Sequence, residues 1–152
     1  MKKIIVVSDT HHNFSAIEKL LPKMLENDFV FHLGDNDSDM NYYRKEIGEK
    51  IYSVKGNCDG GGEDLILEIE SVKILLTHGD KYGVKSSKFN LLLRAKELGA
   101  NLVCYGHTHI SEIEKIDGIT FINPGCMNGF ISKTYCYLVV DKGKIVAKIV
   151  EI

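Results

Sequence analysis

Nowhere in the 152 residues does an apolar run approach the length of a membrane span. The first residues, Met1-Lys2-Lys3 and then four apolar positions, are too short for a signal-peptide core and are soon broken by Asp9. Charge of either sign is not in excess. The 19 Lys and Arg against 21 Asp and Glu leave a net charge of −2 and no basic stripe. Bulk charge therefore gives no reason to expect nucleic acid or a membrane surface as a partner. Cysteine is sparse: Cys58, Cys104, Cys126 and Cys136 contain no C-x-x-C pair. Scattered thiols without a framework are the usage expected of a reducing, cytoplasmic setting. Cys104 and Cys136 fall in apolar strand patterns and read as small core residues. Repeats, low-complexity tracts and linkers are missing too, so residues 1–152 read as one domain. A chain of this length can bury about 70% of its unfolded surface.

What is present begins with Ile4-Ile5-Val6-Val7, a β-branched run that predicts a buried strand, followed by Ser8-Asp9-Thr10-His11. Helical spacing of Phe14, Ile17, Leu20, Leu21, Met24 and Leu25 predicts an amphipathic helix. Ser15 to Glu18 fits a capping box, and Pro22 predicts a kink or break. Phe29–Leu33 is the second strand and ends at Gly34-Asp35. A short helix with Met40, Tyr43 and Ile47 on one face follows, then a strand over 50–54 ending at Gly56-Asn57-Cys58-Asp59. Strands alternating with helices predict a parallel, right-handed start. Period-2 alternation over 65–70 and a return over 72–76 predict a hairpin ending at Thr77-His78-Gly79-Asp80. A helix from about Ser86 places Phe89, Leu92, Leu93 and Lys96 on one line and stops at Gly99. The strand 102–105 ends at Gly106-His107-Thr108-His109. Hairpins about Asp117-Gly118 and about 141–144 fill the last third, with a tight turn at Asn123-Pro124-Gly125.

Five strand ends thus carry metal-ligand residue types: Asp9 and His11, Asp35, Asn57, His78, and His107 with His109. Four of the six histidines lie in these motifs, a placement chance does not readily give. Carboxylate oxygen and neutral imidazole nitrogen are ordinary ligands of a divalent metal. Taken alone, Asp9 and His11 also read as a helix cap beside a half-exposed imidazole. Seven oxygen and nitrogen donors are too many for one small cation and suit two metals that share a carboxylate. Two such metals can clamp both oxygens of an in-line displacement and turn a shared water into a hydroxide nucleophile.

Taken in order, Asp9-x-His11, Gly34-Asp35, Gly56-Asn57-x-Asp59, His78-Gly79 and Gly106-His107-Thr108-His109 resemble the calcineurin-like metallophosphoesterases. The short chain, Gly56-Asn57-Cys58-Asp59 and Asn123-Pro124-Gly125 resemble the YfcE-type phosphodiesterases within that family. The resemblance runs from Ile4 to the last hairpin. It implies an α/β fold of two packed mixed β-sheets, a β-sandwich flanked by helices. It implies one metal held by Asp9, His11 and His109, a second by Asn57, His78 and His107, and Asp35 as the bridge. The implied cofactors are two divalent ions, manganese first, with nickel, iron, zinc or magnesium as alternatives. A small-molecule phosphodiester is the implied substrate, and relatives of this type are often dimers or larger.

Departures from the family pattern mark the neighbourhood. Cys58 stands where many members carry a histidine that protonates the leaving group; it reads either as a catalytic thiol or as a spacer beside Asn57. Asp59 reads as a carboxylate that orients a ligand. Asp80 replaces a frequent histidine, and His12 replaces a frequent glycine, with an idle exposed imidazole as the plainer reading. His32 reads as a hydrogen-bonded core histidine. Asn123 reads either as a residue of the site or as a turn residue serving its own backbone. Lys81, Tyr82 and Lys85 are placed either at the mouth of the cleft or on ordinary surface, and Gly60–Gly62 as a flap or a slack loop. Two rival functions share this pattern: a phosphomonoesterase with the same metals, and a non-catalytic scaffold like the retromer subunit of this fold.

Overall fold

Ile4, Ile5, Val6 and Val7 are all fully buried, and the architecture follows from the need to cover both faces of that strand. The computed structural model describes residues 1–152. Strand β1 (Lys2–Val7) is followed by helix α1 (Phe14–Glu26), β2 (Phe29–His32), a 3-10 turn over Asp37–Tyr42, the short helix α2 (Arg44–Ile47) and β3 (Ile51–Ser53). Then come β4 (Leu65–Ile69), β5 (Val72–Leu76), helix α3 (Phe89–Leu98), β6 (Leu102–Cys104), β7 (Glu112–Ile116) and β8 (Ile119–Asn123). The chain closes with β9 (Thr134–Asp141) and β10 (Lys144–Glu151).

The strands form two five-stranded mixed sheets, in the orders β10-β9-β1-β2-β3 and β4-β5-β6-β8-β7. Strands β1, β2 and β3 run parallel, as do β5, β6 and β8; β4, β7, β9 and β10 pair antiparallel. Alternation decides the layers. Ile4 and Val6 meet Phe31, Ile74, Leu76, Cys104 and Leu138 between the sheets. Ile5 and Val7 point the other way, onto Ala16, Ile17, Leu20 and Met24 of α1 and Met40 and Ile47 beyond it. Leu75, Val103 and Phe121 back the second sheet against Leu91 and Ala95 of α3. The predicted sandwich flanked by helices is the observed fold. No helix is long and apolar enough to cross a membrane.

Local expectations for α1 and α3 are corrected. Helix α1 is capped by Asn13, whose side chain accepts from the Ala16 N–H at 3.2 Å, and not by a box at Ser15. The helix runs unbroken through Pro22, which lies on its exposed face, so the carbonyl that loses its partner is open to water. Leu25 is off the buried stripe. In α3 the apolar line is drawn one position away from the expected one. Leu91 and Ala95 are buried, whereas Phe89 and Leu93 stand 61% and 45% exposed. The helix starts at Phe89, because turns closing on Gly83 take up 83–87.

Candidate metal centre

Parallel strands all present the same end, so β1, β2, β3, β5 and β6 deliver their following loops to one edge of the sandwich. The loops after β1 and β2 are pinned together there by the Asp9 N–H on the Gly34 carbonyl at 2.9 Å. Backbone strain is concentrated at the same edge. Asp9, His11, His12, Asp35, Asn36, His107 and His109 all have φ between +41° and +71°. Non-glycine residues rarely adopt that conformation, and it persists where the surroundings over-determine it. The glycines answer two different needs. Gly34 and Gly79 carry positive φ, while Gly56 and Gly106 do not. A Cβ at Gly56 would collide with Asp35 Oδ1, and one at Gly106 would collide with Ser8 Oγ and come within 2.9 Å of Asp9 Oδ2. Gly34 and Gly79 serve the turn of the chain, while Gly56 and Gly106 are there to let a carboxylate in.

The structure brings all seven predicted donors together. Asp9, His11, Asp35 and His109 place one ligand atom each within 4.8 Å of one another, and so do Asp35, His78 and His107. Asp35 is common to both groups. On one side, Asp9 Oδ1 lies 3.1 Å from His109 Nε2 and 3.7 Å from His11 Nε2, and Asp35 Oδ2 lies 3.8 Å from His11 Nε2. On the other, His78 Nε2 lies 3.4 Å from Asp35 Oδ2, 3.1 Å from Asn57 Oδ1 and 3.2 Å from His107 Nδ1. Donors about 2.1 Å from a shared cation sit roughly 3.0 Å apart when adjacent and up to about 4.2 Å when opposite, so these gaps are of the right size for one.

Proton placement tests the fit more sharply. His78 Nδ1 donates to the Leu33 carbonyl at 2.7 Å, which leaves Nε2 as a lone pair. That lone pair faces a carboxylate oxygen, an amide oxygen and a second imidazole nitrogen. An imidazole lone pair aimed into a group of oxygen and nitrogen donor atoms suits a cation. Likewise, the buried His11 Nε2 is one of two buried side-chain atoms with no hydrogen-bond partner, the other being Thr77 Oγ1. Each carboxylate is also split between two tasks. Asp9 Oδ2 accepts from Ser8 Oγ at 2.5 Å and the His107 N–H at 3.2 Å, freeing Oδ1 for the centre. Asp35 Oδ1 accepts from the Cys58 N–H at 2.9 Å, freeing Oδ2. The residues present fit divalent metal.

Electrostatics follow from burial. Desolvation raises the fully buried Asp9 carboxyl despite the Ser8 hydroxyl that accompanies it. Burial also works upward on Asp35, but the Cys58 N–H and His78 outweigh it, and the net shift is down. Burial, and then His78, lower His107. His32 is buried and lowered to about 4, hence neutral; it lies 3.1 Å from Thr10 Oγ1 and accepts the Gly34 N–H. The core reading of His32 holds.

The supporting residues are where sequence reading fell short. Asp39, only 1% exposed, accepts from Thr10 Oγ1 at 2.7 Å, from the His12 N–H at 2.8 Å and from His12 Nδ1 at 2.7 Å. The His12 ring is therefore not idle: a buried carboxylate orients it, and its Nε2 lies 3.2 Å from Asn36 Nδ2. Ser8, Thr10 and Asn36 are not usual metal-ligand types, and Asp39 sits inside a 3-10 turn rather than at a strand end, so the pattern of the sequence does not single them out. The one available signal was a second carboxylate shortly after Gly34-Asp35.

Asp59 accepts from the Asn36 N–H at 2.7 Å and the Gly56 N–H at 2.9 Å, which ties the Asp35 and Asn57 loops together. Cys58 is exposed beside Asn57; desolvation, and then the Asp35 carboxylate, push its thiol up. Asn123 does both of the things weighed for it. Its amide donates to the Gly106 carbonyl and to Thr108 Oγ1, and its oxygen accepts the Gly125 N–H. Of the two readings for Lys81 and Tyr82, ordinary surface is the one observed: both are held by Asp64, at 3.0 and 2.6 Å. Lys85 lines a hollow with Thr108 and Ile110.

Residues 1–144 match the family model described as a calcineurin-like phosphoesterase superfamily domain. The chain is 36% identical to the probable metallophosphoesterase YsnB of Bacillus subtilis over 80% of its length and 73% of that protein. It is 26% identical to the phosphodiesterase YfcE of Escherichia coli K12, covering 84% of this chain and 80% of that one. A predicted phosphoesterase from Streptococcus pneumoniae superposes with a TM-score of 0.79 at 29% identity, over 99% of this chain and 89% of the other. Zinc-bound Vps29 of Entamoeba histolytica superposes with a TM-score of 0.76 at 19% identity over 98% of both chains, a likeness of fold alone.

Proposed function

The chain belongs to the calcineurin-like phosphoesterase superfamily, and on that footing we propose that it is a metal-dependent phosphodiesterase with a dinuclear centre. One observation carries the reading: Asp35 belongs at once to the Asp9–His11–His109 group and to the His78–His107 group. Asp9, His11 and His109 would hold one cation, Asn57, His78 and His107 the other, with Asp35 between them. Bound there, the two ions supply charge neutralisation for the phosphate oxygens and a water acidic enough to attack near neutral pH. Manganese is our first choice.

The chain's own residues do the rest. Ser8, the Cys58 N–H and the Leu33 carbonyl fix the outward atoms of Asp9, Asp35 and His78, so their inward atoms keep one direction. Asp59 acts through the backbone, as a positioning residue for Asp35 and Asn57. The exposed Cys58 thiol is our candidate for passing a proton to the leaving group. Its exposed place beside Asn57 supports that role. With all four cysteines free, a reducing, cytoplasmic compartment suits the protein. A pure scaffold would not need a complete donor set.

Hydrolysis of bis(p-nitrophenyl) phosphate with added Mn²⁺ tests this. Asp35→Asn and His107→Ala should each lower kcat/KM by roughly 10³-fold, the scale of several kcal/mol that metal ions contribute, with circular dichroism unchanged. Wild-type rates in both variants would sink the reading.

A further inference from the structure

Beside His109 the edge of the sandwich opens into a cleft of about 420 Å³, walled by His109, Ile110, Ser111, Phe130, Ile131 and Thr134. His109 belongs to two structures at once. Its Nε2 lies 3.1 Å from Asp9 Oδ1 in the centre, and its ring forms one wall of the cleft. Three apolar side chains stand in water along this path: Ile110 is 70% exposed, and Phe130 and Ile131 are fully exposed. Adjoining exposed apolar side chains next to a polar site are a mark of ligand contact. The wall also contains no lysine, arginine, aspartate or glutamate. Its remaining polar groups are hydroxyls, and that of Thr134 is committed to the Pro124 carbonyl at 2.7 Å.

The cleft therefore changes character along its length, from an imidazole at the metal end to an uncharged apolar wall away from it. We infer that it receives an apolar ester substituent of the substrate, an aromatic group above all, whose phosphate sits at the metal centre. This inference rests on the phosphodiesterase reading and narrows it. A monoester has no second substituent to place against Ile110 and Phe130. A flat ring can lie on Phe130 in an offset or edge-to-face arrangement and cover the isoleucines as well.

Two diesters with the same leaving group test the idea: phenyl p-nitrophenyl phosphate and methyl p-nitrophenyl phosphate, each turned over by the Mn²⁺-loaded full chain. The expected KM for the phenyl ester is roughly tenfold below that for the methyl ester, the scale of discrimination a hydrophobic pocket gives. In Phe130→Ala, a fully exposed position where folding is not at stake, the ratio of the two KM values should move to near one. Turnover of both esters with equal KM in the wild type would overturn the cleft assignment and leave the phosphodiesterase reading standing. Turnover of neither would overturn both. The mass in solution is measured alongside. A Phe130→Ala variant that falls from dimer to monomer with its KM ratio unmoved would make this wall a contact between copies of the chain, and would overturn the inference.

Discussion

The two ends of the sandwich use the same unusual backbone for opposite purposes. At the end where β4–β5, β7–β8 and β9–β10 turn back, Glu70, Ser71, Asp117 and Lys142 have φ between +47° and +62°. There the conformation is what a two-residue hairpin requires, and its twist matches the strands. At the other end, Asp9, His11, Asp35, His107 and His109 have comparable φ values in loops that form no hairpin. That conformation costs about 1–2 kcal/mol per residue, and a web of hydrogen bonds to buried carboxylates keeps it in place. Asp9, Asp35, Asp39, His32 and His78 are buried on that edge, and the turn end has no comparable set. One end stabilises the fold, and the other is held by it.

If so, the two ends should respond differently to the same treatments. Acid should strike the metal end hardest. His32 has a folded pKa of about 4 against an ordinary value of 6.5. Between those values the unfolded chain takes up a proton that the folded chain refuses, so stability falls as pH drops from 6.5 to 4 and levels below. The gap corresponds to about 3 kcal/mol. Urea titrations of metal-free protein across that window should show the slope, and His32→Gln should flatten it. An equal slope in both proteins would place the acid sensitivity elsewhere.

Next in size, Asp39→Asn removes the charge that receives Thr10, the His12 N–H and the His12 ring. Loss of a buried carboxylate with three donors should lower stability by about 2 kcal/mol. It should also lower kcat more than it changes the far-ultraviolet spectrum, because the loop bearing His11 is released. A stable Asp39→Asn protein with full activity would show that the loop holds itself.

The smallest effect belongs to the turn end. Lys142 takes φ +47° before Gly143 in the last hairpin. Lys142→Asn supplies the residue such turns favour and should raise stability by about 0.5 kcal/mol with no change in kcat. A drop in activity there would break the division between the ends.

The same division describes what could be read from sequence. The clustered donor residues were legible, because each follows a strand pattern and stands beside a glycine or a hydroxyl residue: Asp9, Asp35, Asn57, His78, His107 and His109 all obey that pattern. The hairpins were legible from Asp117-Gly118 and Lys142-Gly143. What could not be read was support acting across the fold. Asp39 serves Thr10, 29 residues away, and Asn123 serves Gly106, 17 residues away, through bonds that leave no periodic trace. The face of α3 was missed for a related reason. Phe89, Leu92 and Leu93 are as apolar as Leu91, so composition alone cannot say which side meets the sheet.

The shared carboxylate is the centre of the account, and metal stoichiometry tests it most directly. Equilibrium dialysis of the wild-type chain against Mn²⁺, followed by elemental analysis, should find two ions per chain, and Asp35→Asn should hold fewer than one. One ion or none in the wild type, or two retained without the Asp35 carboxylate, would contradict it.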